Sequence, residues 1–261
     1  LSDGLKVVKS WIPDDCEQTM TKYAVITVAA IFIAGCNSSP QPLSAENMVG
    51  GASVAGFTQV PMAQATTSLT LDWGKKGKAG QVAIADVLSF NGSKPKISAP
   101  DGWHFIRDDF SASTRQSLYW HAIQANDPSA AMWTFDAPVD TKGAIVLLDN
   151  AALDSPVDMS SGKTDTSGTL NAKSVVTTED GDLILLFYAT DFHIPGLAPK
   201  LPPDTRTVTD QEDVSHEYWI LTTYQSENGA TDDIPVGEGQ LFSWTAAQVA
   251  IKHRAATPSP N

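Results

Sequence analysis

From Thr66 to Ile251 the apolar residues recur at every second position or in short unbroken runs, and no helical spacing is sustained over ten residues. That period of two limits the chain to strands, because alternate side chains of a strand face opposite sides of a sheet. Leu69, Leu71 and Trp73 share one face of Thr66–Trp73. Leu118 and Trp120 alternate with Tyr119 and His121, and Trp133 and Phe135 flank Thr134. Ala144–Leu148 and Leu183–Ala189 are almost continuously apolar, as strands covered on both faces are. Val82–Phe90, Glu217–Tyr224 and Leu241–Ile251 are further strands, separated by turns such as Gly74–Gly80, and ten or more are expected in all. With no helix to cross over a sheet, neighbouring strands must run antiparallel. The expected fold class is therefore all-β, an antiparallel β-sandwich of jelly-roll type spanning residues 52–254. A loose order recurs in its two halves: a Thr/Val-rich strand, Gly80-Gln81 or Gly181-Asp182, an apolar run, then a proline-containing loop.

The chain carries 30 acidic against 17 basic residues, a formal charge of −13. Nucleic acid and anionic lipid surfaces both call for a basic footprint, so neither is expected as a partner. Acidic loops suit calcium instead, which takes several hard oxygen ligands. The candidate ligands are Asp210, Glu212 and Asp213 in one loop and Glu227, Asp232 and Asp233 in another. Neither loop has the spacing of an EF-hand. No other cofactor is expected.

Ahead of the strands, about eleven apolar residues from Ala24 to Ala34 follow Lys22, too few for a bilayer span of roughly twenty. They suit the core of a signal peptide. The run ends in Ile33-Ala34-Gly35-Cys36, which resembles the lipobox of bacterial lipoproteins. The resemblance implies a signal helix over 20–35, a diacylglycerol on the Cys36 sulfur, and a membrane partner through that lipid. Asn37 after the cysteine favours an outer-membrane or cell-surface location over inner-membrane retention. Residues 1–19 are expected to be a non-native upstream extension, 36–51 a flexible tether and 255–261 a disordered tail. Cys16 then lies outside the product, Cys36 is its sole cysteine, and no internal disulfide is expected.

A second set of landmarks runs through the strands: Gly80-Gln81-Val82, Ile97-Ser-Ala-Pro-Asp-Gly-Trp103, Tyr119-Trp120, Asp127-Pro128, Asp154-Ser-Pro-Val-Asp158, Glu179-Asp-Gly-Asp182 and Ser243-Trp244 through Ile251. Their shared order resembles a β-sandwich domain of secreted bacterial surface proteins and phage-associated proteins. The likeness covers roughly Thr66–His253, with Gln81 where those relatives have aspartate. It implies exposure outside the cell and carries no catalytic residues.

Enzyme signatures are sparse. Gly51-Ala-Ser-Val-Ala55 lacks the closing glycine of a nucleophile elbow. The five histidines form no zinc motif, though Asp191 and His193 share a strand face. The acid pairs Asp108–Asp109 and His216–Glu217 are the candidates for sugar hydrolysis. Sugar-binding modules stack rings on aromatic residues, so Tyr119 and His121 on one strand face, Tyr218 and Tyr224 on a later one, and Trp103 after a Pro-Asp-Gly turn are the candidate ligand contacts. The expected activity is a non-catalytic binding or adhesive surface for a glycan or a surface protein. A polysaccharide-active enzyme and a structural or assembly lipoprotein, phage-encoded or not, stay open beside it. The oligomeric state has no sequence signal.

Overall fold

The computed structural model describes residues 51–255 except 91, 93, 192–204, 213–215 and 237–242. The chain divides into two units, Leu1–Gln41 and Pro42–Asn261, and every described residue belongs to the second. Cys36, Asp213, His193 and the signal, tether and tail segments lie outside the described residues, as do the side chains of Asp210 and Glu212.

The antiparallel all-β sandwich expected from the sequence is present. One sheet has the order β1 (Ser53–Asp72), β6 (Ala130–Asp149), β2 (Val82–Phe90), β5 (Arg115–Ala122), β4 (His104–Phe110), with β3 (Ile97–Ser98) pairing β6 separately. The other runs β7 (Val157–Asp165), β15 (Trp244–Ile251), β10 (Asp182–Thr190), β12 (Glu217–Gln225), β11 (Arg206–Glu212). Each half of the chain thus builds its own sheet, with the same strand order in both. The jelly-roll type named from the sequence is not confirmed by this order.

The two halves agree residue by residue. Val82 pairs with Ala122 and Leu148, and Leu183 pairs with Tyr224 and Ile251, which makes Val82 and Leu183 counterparts. Both outer hairpins slip register at the same place, between Phe105 and Arg107 in one and Thr207 and Thr209 in the other. Both central strands begin after a glycine in the left-handed region, Gly80 (φ 88°) and Gly181 (φ 75°). Their amides donate to equivalent carbonyls, Ile123 and Gln225, each at 3.0 Å. Glycine is required at both sites because side chains rarely tolerate that backbone.

Between the sheets lies one apolar layer, with Val82, Ile84, Leu88, Val146 and Leu148 facing Leu183, Leu185, Phe187, Ile220 and Val249. The open sides are closed by cross-sheet bonds, Arg107 Nη1 to Ser160 Oγ (3.4 Å) and Thr209 Oγ1 to Gln59 Oε1 (2.6 Å). Each sheet is also covered on its outer face. In the first half, β1 and β6 bend together so that their distal parts lie back over the sheet as a flap. Register shifts between Val60 and Ser68 make the bend, Ala65 adopts a φ of 47°, and its amide donates to the Asp140 carboxylate at 2.8 Å. Leu69, Leu71, Trp73 and Trp133 then pack on Ala83, Ala85, Val87, Ile145 and Leu147. In the second half two short ribbons do the same: β8 (Leu170–Ala172) with β14 (Ile234–Val236), and β9 (Val176–Thr177) with β13 (Gly229–Ala230). Leu170, Ala172, Ile234 and Val236 cover Ile184, Leu186, Trp219 and Ala246. Four layers enclosing three apolar seams explain why β2 and β10 are buried at every position.

Gly143 sits where the first flap meets the sheet. A Cβ there would stand 2.7 Å from the Asp86 carbonyl oxygen and 3.0 Å from Leu69 Cδ2. Backbone on one side and the flap on the other leave no room to yield. Gly143→Ala is expected to cost about 1–3 kcal/mol in urea unfolding. Gly56→Ala, where an added Cβ meets nothing within 4 Å, should leave the midpoint unchanged or slightly raised.

Candidate functional site

The sequence candidates of the first half come together as a plug rather than an open platform. Tyr119 and His121 do share the outer face of β5, but the flap covers that face. Trp103 stacks on His121 (centroids 5.3 Å apart, 26° between planes), touches the edge of Trp133 at 4.8 Å and approaches Trp73 at 5.9 Å. His121 is fixed at both ring nitrogens, Nδ1 against the Gly102 carbonyl (2.8 Å) and Nε2 against Asp127 (2.7 Å). Slight burial opposes ionisation of Asp127, but the Gln124 amide and the His121 ring outweigh it and hold the carboxyl below its usual range. Tyr119 is 5% exposed. Its neighbour Phe105 is the exposed ring here, edge-on to it at 5.8 Å.

Tyr218 and Tyr224 do not extend this face. They sit on β12 of the other sheet and point into the central seam. The Tyr224 hydroxyl donates to the Ala52 carbonyl at 3.0 Å. Tyr218 is fully buried, and its hydroxyl faces the buried Asp86 carboxyl across the seam. Of the five proposed ligand contacts, three are therefore packed into a plug and two into the interior.

The acid pairs also separate. Asp108 and Asp109 are consecutive in β4, so their side chains leave opposite faces. Asp108 accepts from Arg115 Nε and Ser117 Oγ, each at 2.7 Å. Burial works against its charge, and those partners outweigh burial and depress its pKa. Asp109 is held by Arg107 Nη2 at 2.7 Å. His216 lies on Phe90 (centroids 4.2 Å), while Glu217 is buried on the opposite face of β12. Asp191 accepts from Ser113 Oγ. A different acid pair meets at the start of β10. Burial and then the neighbouring Asp158 push Asp182 up to about 7, while Asp158 is clasped by the Thr178 amide and hydroxyl. Asp182 is fully buried and Asp158 half-buried, and with Asp158 already bound by Thr178 the pair serves as a structural corner at the start of the strand.

Among the calcium candidates, Asp233 is engaged by Lys173 Nζ and by the Ser174 amide (2.8 Å), with Lys173 the main cause of its lowered pKa. Among the described residues no group of three His, Cys, Asp or Glu is arranged to hold a metal ion.

What the second half offers is a cleft of about 520 Å³ on the outer face of its sheet. Ile184 forms its floor with Thr223 and Gln225 of β12, Thr205 stands at one side, and Asp232, Asp233 and Ile234 make the opposite wall. The wall is clamped from beneath. Buried Gln248 donates to the Asp232 carbonyl (2.8 Å) and the Tyr188 hydroxyl to the Ile234 carbonyl (2.8 Å). Groups facing the cleft are less committed. Among the described residues Thr205 Oγ1 has no hydrogen-bond partner and the Asp232 carboxylate makes no hydrogen bond. A rigid wall beside a buried, unpartnered hydroxyl and an exposed carboxylate is suited to hydrogen-bonding a neutral polyol.

Comparison with protein-family models, with curated proteins and with solved structures gives no match to this chain. Of the cleft residues, Asp232 and Asp233 stand among the sequence candidates for calcium, and Tyr224, which also borders the cleft, among those for a ligand. Thr205, Thr223 and Gln225 carry no aromatic or charged signal. Aligning the two halves from Gly80-Gln81 and Gly181-Asp182 is the signal that finds them.

Proposed function

We propose that this chain is a non-catalytic binding module of the cell surface, exported and held to the membrane by lipid on Cys36, that recognises glycan. The observation that carries the reading is the contrast between its polar groups. The acids nominated for hydrolysis are bound to arginine, to hydroxyls or to the interior, whereas the cleft over β10 and β12 presents a fixed wall with free hydrogen-bonding groups. Binding needs preorganised donors and acceptors and no proton transfer. The acidic surface favours neutral saccharides over anionic polymers, since like charges repel.

The detergent-solubilised chain, applied to immobilised neutral polysaccharides and cell-wall fractions, should be retained on at least one and released by soluble fragments of it. No release of reducing ends should accompany binding. Retention on none of them, or hydrolysis of the bound polymer, contradicts the reading.

A further inference from the structure

The matched halves identify what the cleft is shaped to hold. Because Val82 corresponds to Leu183, Trp120 corresponds to Thr222, and the bulged hairpins then set His104 against Arg206. By the same register Ala83 corresponds to Ile184, Trp103 to Thr205, His121 to Thr223 and Ile123 to Gln225. Four residues that line the cleft, or their backbone places, are therefore the counterparts of the plug in the first half. There, the indole of Trp103 lies flat on the His121 ring and fills the space between sheet and flap. In the second half both rings are replaced by threonines, and the space stands open.

We infer that the cleft is a subsite for one pyranose ring, seated where the Trp103 indole sits in the other half; this rests on the glycan-binding reading above. Room for a flat six-membered ring follows from the first half. The choice of a sugar over an aromatic ring follows from the lining. An indole, with a single N–H to offer, would cover the buried Thr205 hydroxyl, the half-buried Gln225 amide and the Asp232 carboxylate without satisfying them all, and polar groups desolvated without partners oppose binding. The hydroxyls of a pyranose satisfy them: Asp232 accepts, Gln225 donates and accepts, and Thr205 does either. Ile184 and Ile234 meet the C–H face of the ring. The Tyr188 and Gln248 bonds hold the wall in place before the ligand arrives, so little ordering accompanies entry.

The test copies one half onto the other. The probes are methyl glycosides of glucose, galactose, mannose and N-acetylglucosamine, followed by ligand-observed NMR on the full chain, with the polysaccharide retained above as a second probe. Thr205→Trp should place an indole in the cleft and lower affinity by roughly tenfold or more. Asp232→Asn, at an exposed position that leaves the fold intact, should lower it about tenfold, the loss of one charge-assisted hydrogen bond. Phe105→Ala, on the exposed surface of the other sheet, should leave it unchanged. If the unaltered chain binds a glycan and both cleft variants bind equally well, the subsite is wrong while the binding reading stands. If the unaltered chain binds neither probe, the reading itself fails. If Thr205→Trp unfolds, Asp232→Asn alone decides.

Discussion

Replacing Asp86 by asparagine should make the protein more stable than the natural chain at about pH 9, by on the order of 5 kcal/mol, and leave the two similar near pH 4. Asp86 lies in the central seam, fully buried between Ile84 and Leu88. Gln116 Nε2 donates to it at 2.8 Å, and the Tyr218 hydroxyl faces it from the opposite sheet. Asp109 on β4 adds a repelling charge, and Lys142 on β6 lies within the same seam, over the Tyr218 ring at 5.9 Å. Burial dominates and raises the carboxyl to about 8, despite the Gln116 and Tyr218 contacts that favour the charged form. The folded state therefore keeps a proton that the unfolded chain releases near its ordinary value of 3.8. Stability from this proton is complete below that value, declines as pH rises, and is gone above about pH 8. An asparagine at this position cannot ionise, and its amide can meet the same two neighbours. Asp182, raised to about 7, acts in the same direction, so the variant should keep a weaker alkaline decline of its own. Urea unfolding across this pH range checks it; parallel curves for both proteins would contradict the assignment.

Trp133→Ala should destabilise the fold by about 3–5 kcal/mol and loosen the first flap ahead of the sheet beneath it. Trp133 is fully buried at the meeting of flap, Trp103 and Tyr119, with ring centroids 4.8 and 5.9 Å away. Its removal opens a cavity that the rigid strands cannot collapse to fill. The flap is held by this seam, by its own ladder and by the short β3 pairing at Thr134 and Phe135, so amides of 130–139 should exchange faster while those of β2 keep their protection. A loss below about 1 kcal/mol, or uniform acceleration through β2, would show that the flap is not an independent layer.

The strands are legible in the sequence because burial on both faces leaves an unbroken apolar run, as in Leu183–Ala189, and burial on one leaves alternation, as around Leu118 and Trp120. The layering is harder to read. Period two reports that Tyr119 and Tyr218 each lie on a particular face of a strand. It does not report which sheet that face belongs to, or whether a flap covers it. The aromatic residues that resemble ligand contacts are prominent for the reason that makes them good filling: a large ring seals the gap between sheet and flap. The cleft in the other half is inconspicuous because small residues, Thr205 and Thr223, stand there in place of rings. Its only trace in the sequence is the faint repetition of Gly-Gln and Gly-Asp before the two central strands, which becomes decisive once Gly80 and Gly181 are seen making the same bond.

The most direct measurement is a residue-resolved NMR titration of the chain with soluble fragments of the polysaccharide that retains it. Shifts concentrated at Thr205, Thr223, Gln225, Asp232 and Asp233 are predicted, with the resonances of Phe105, Tyr119 and His121 unmoved. Shifts centred on that second group, or none anywhere, would contradict the account.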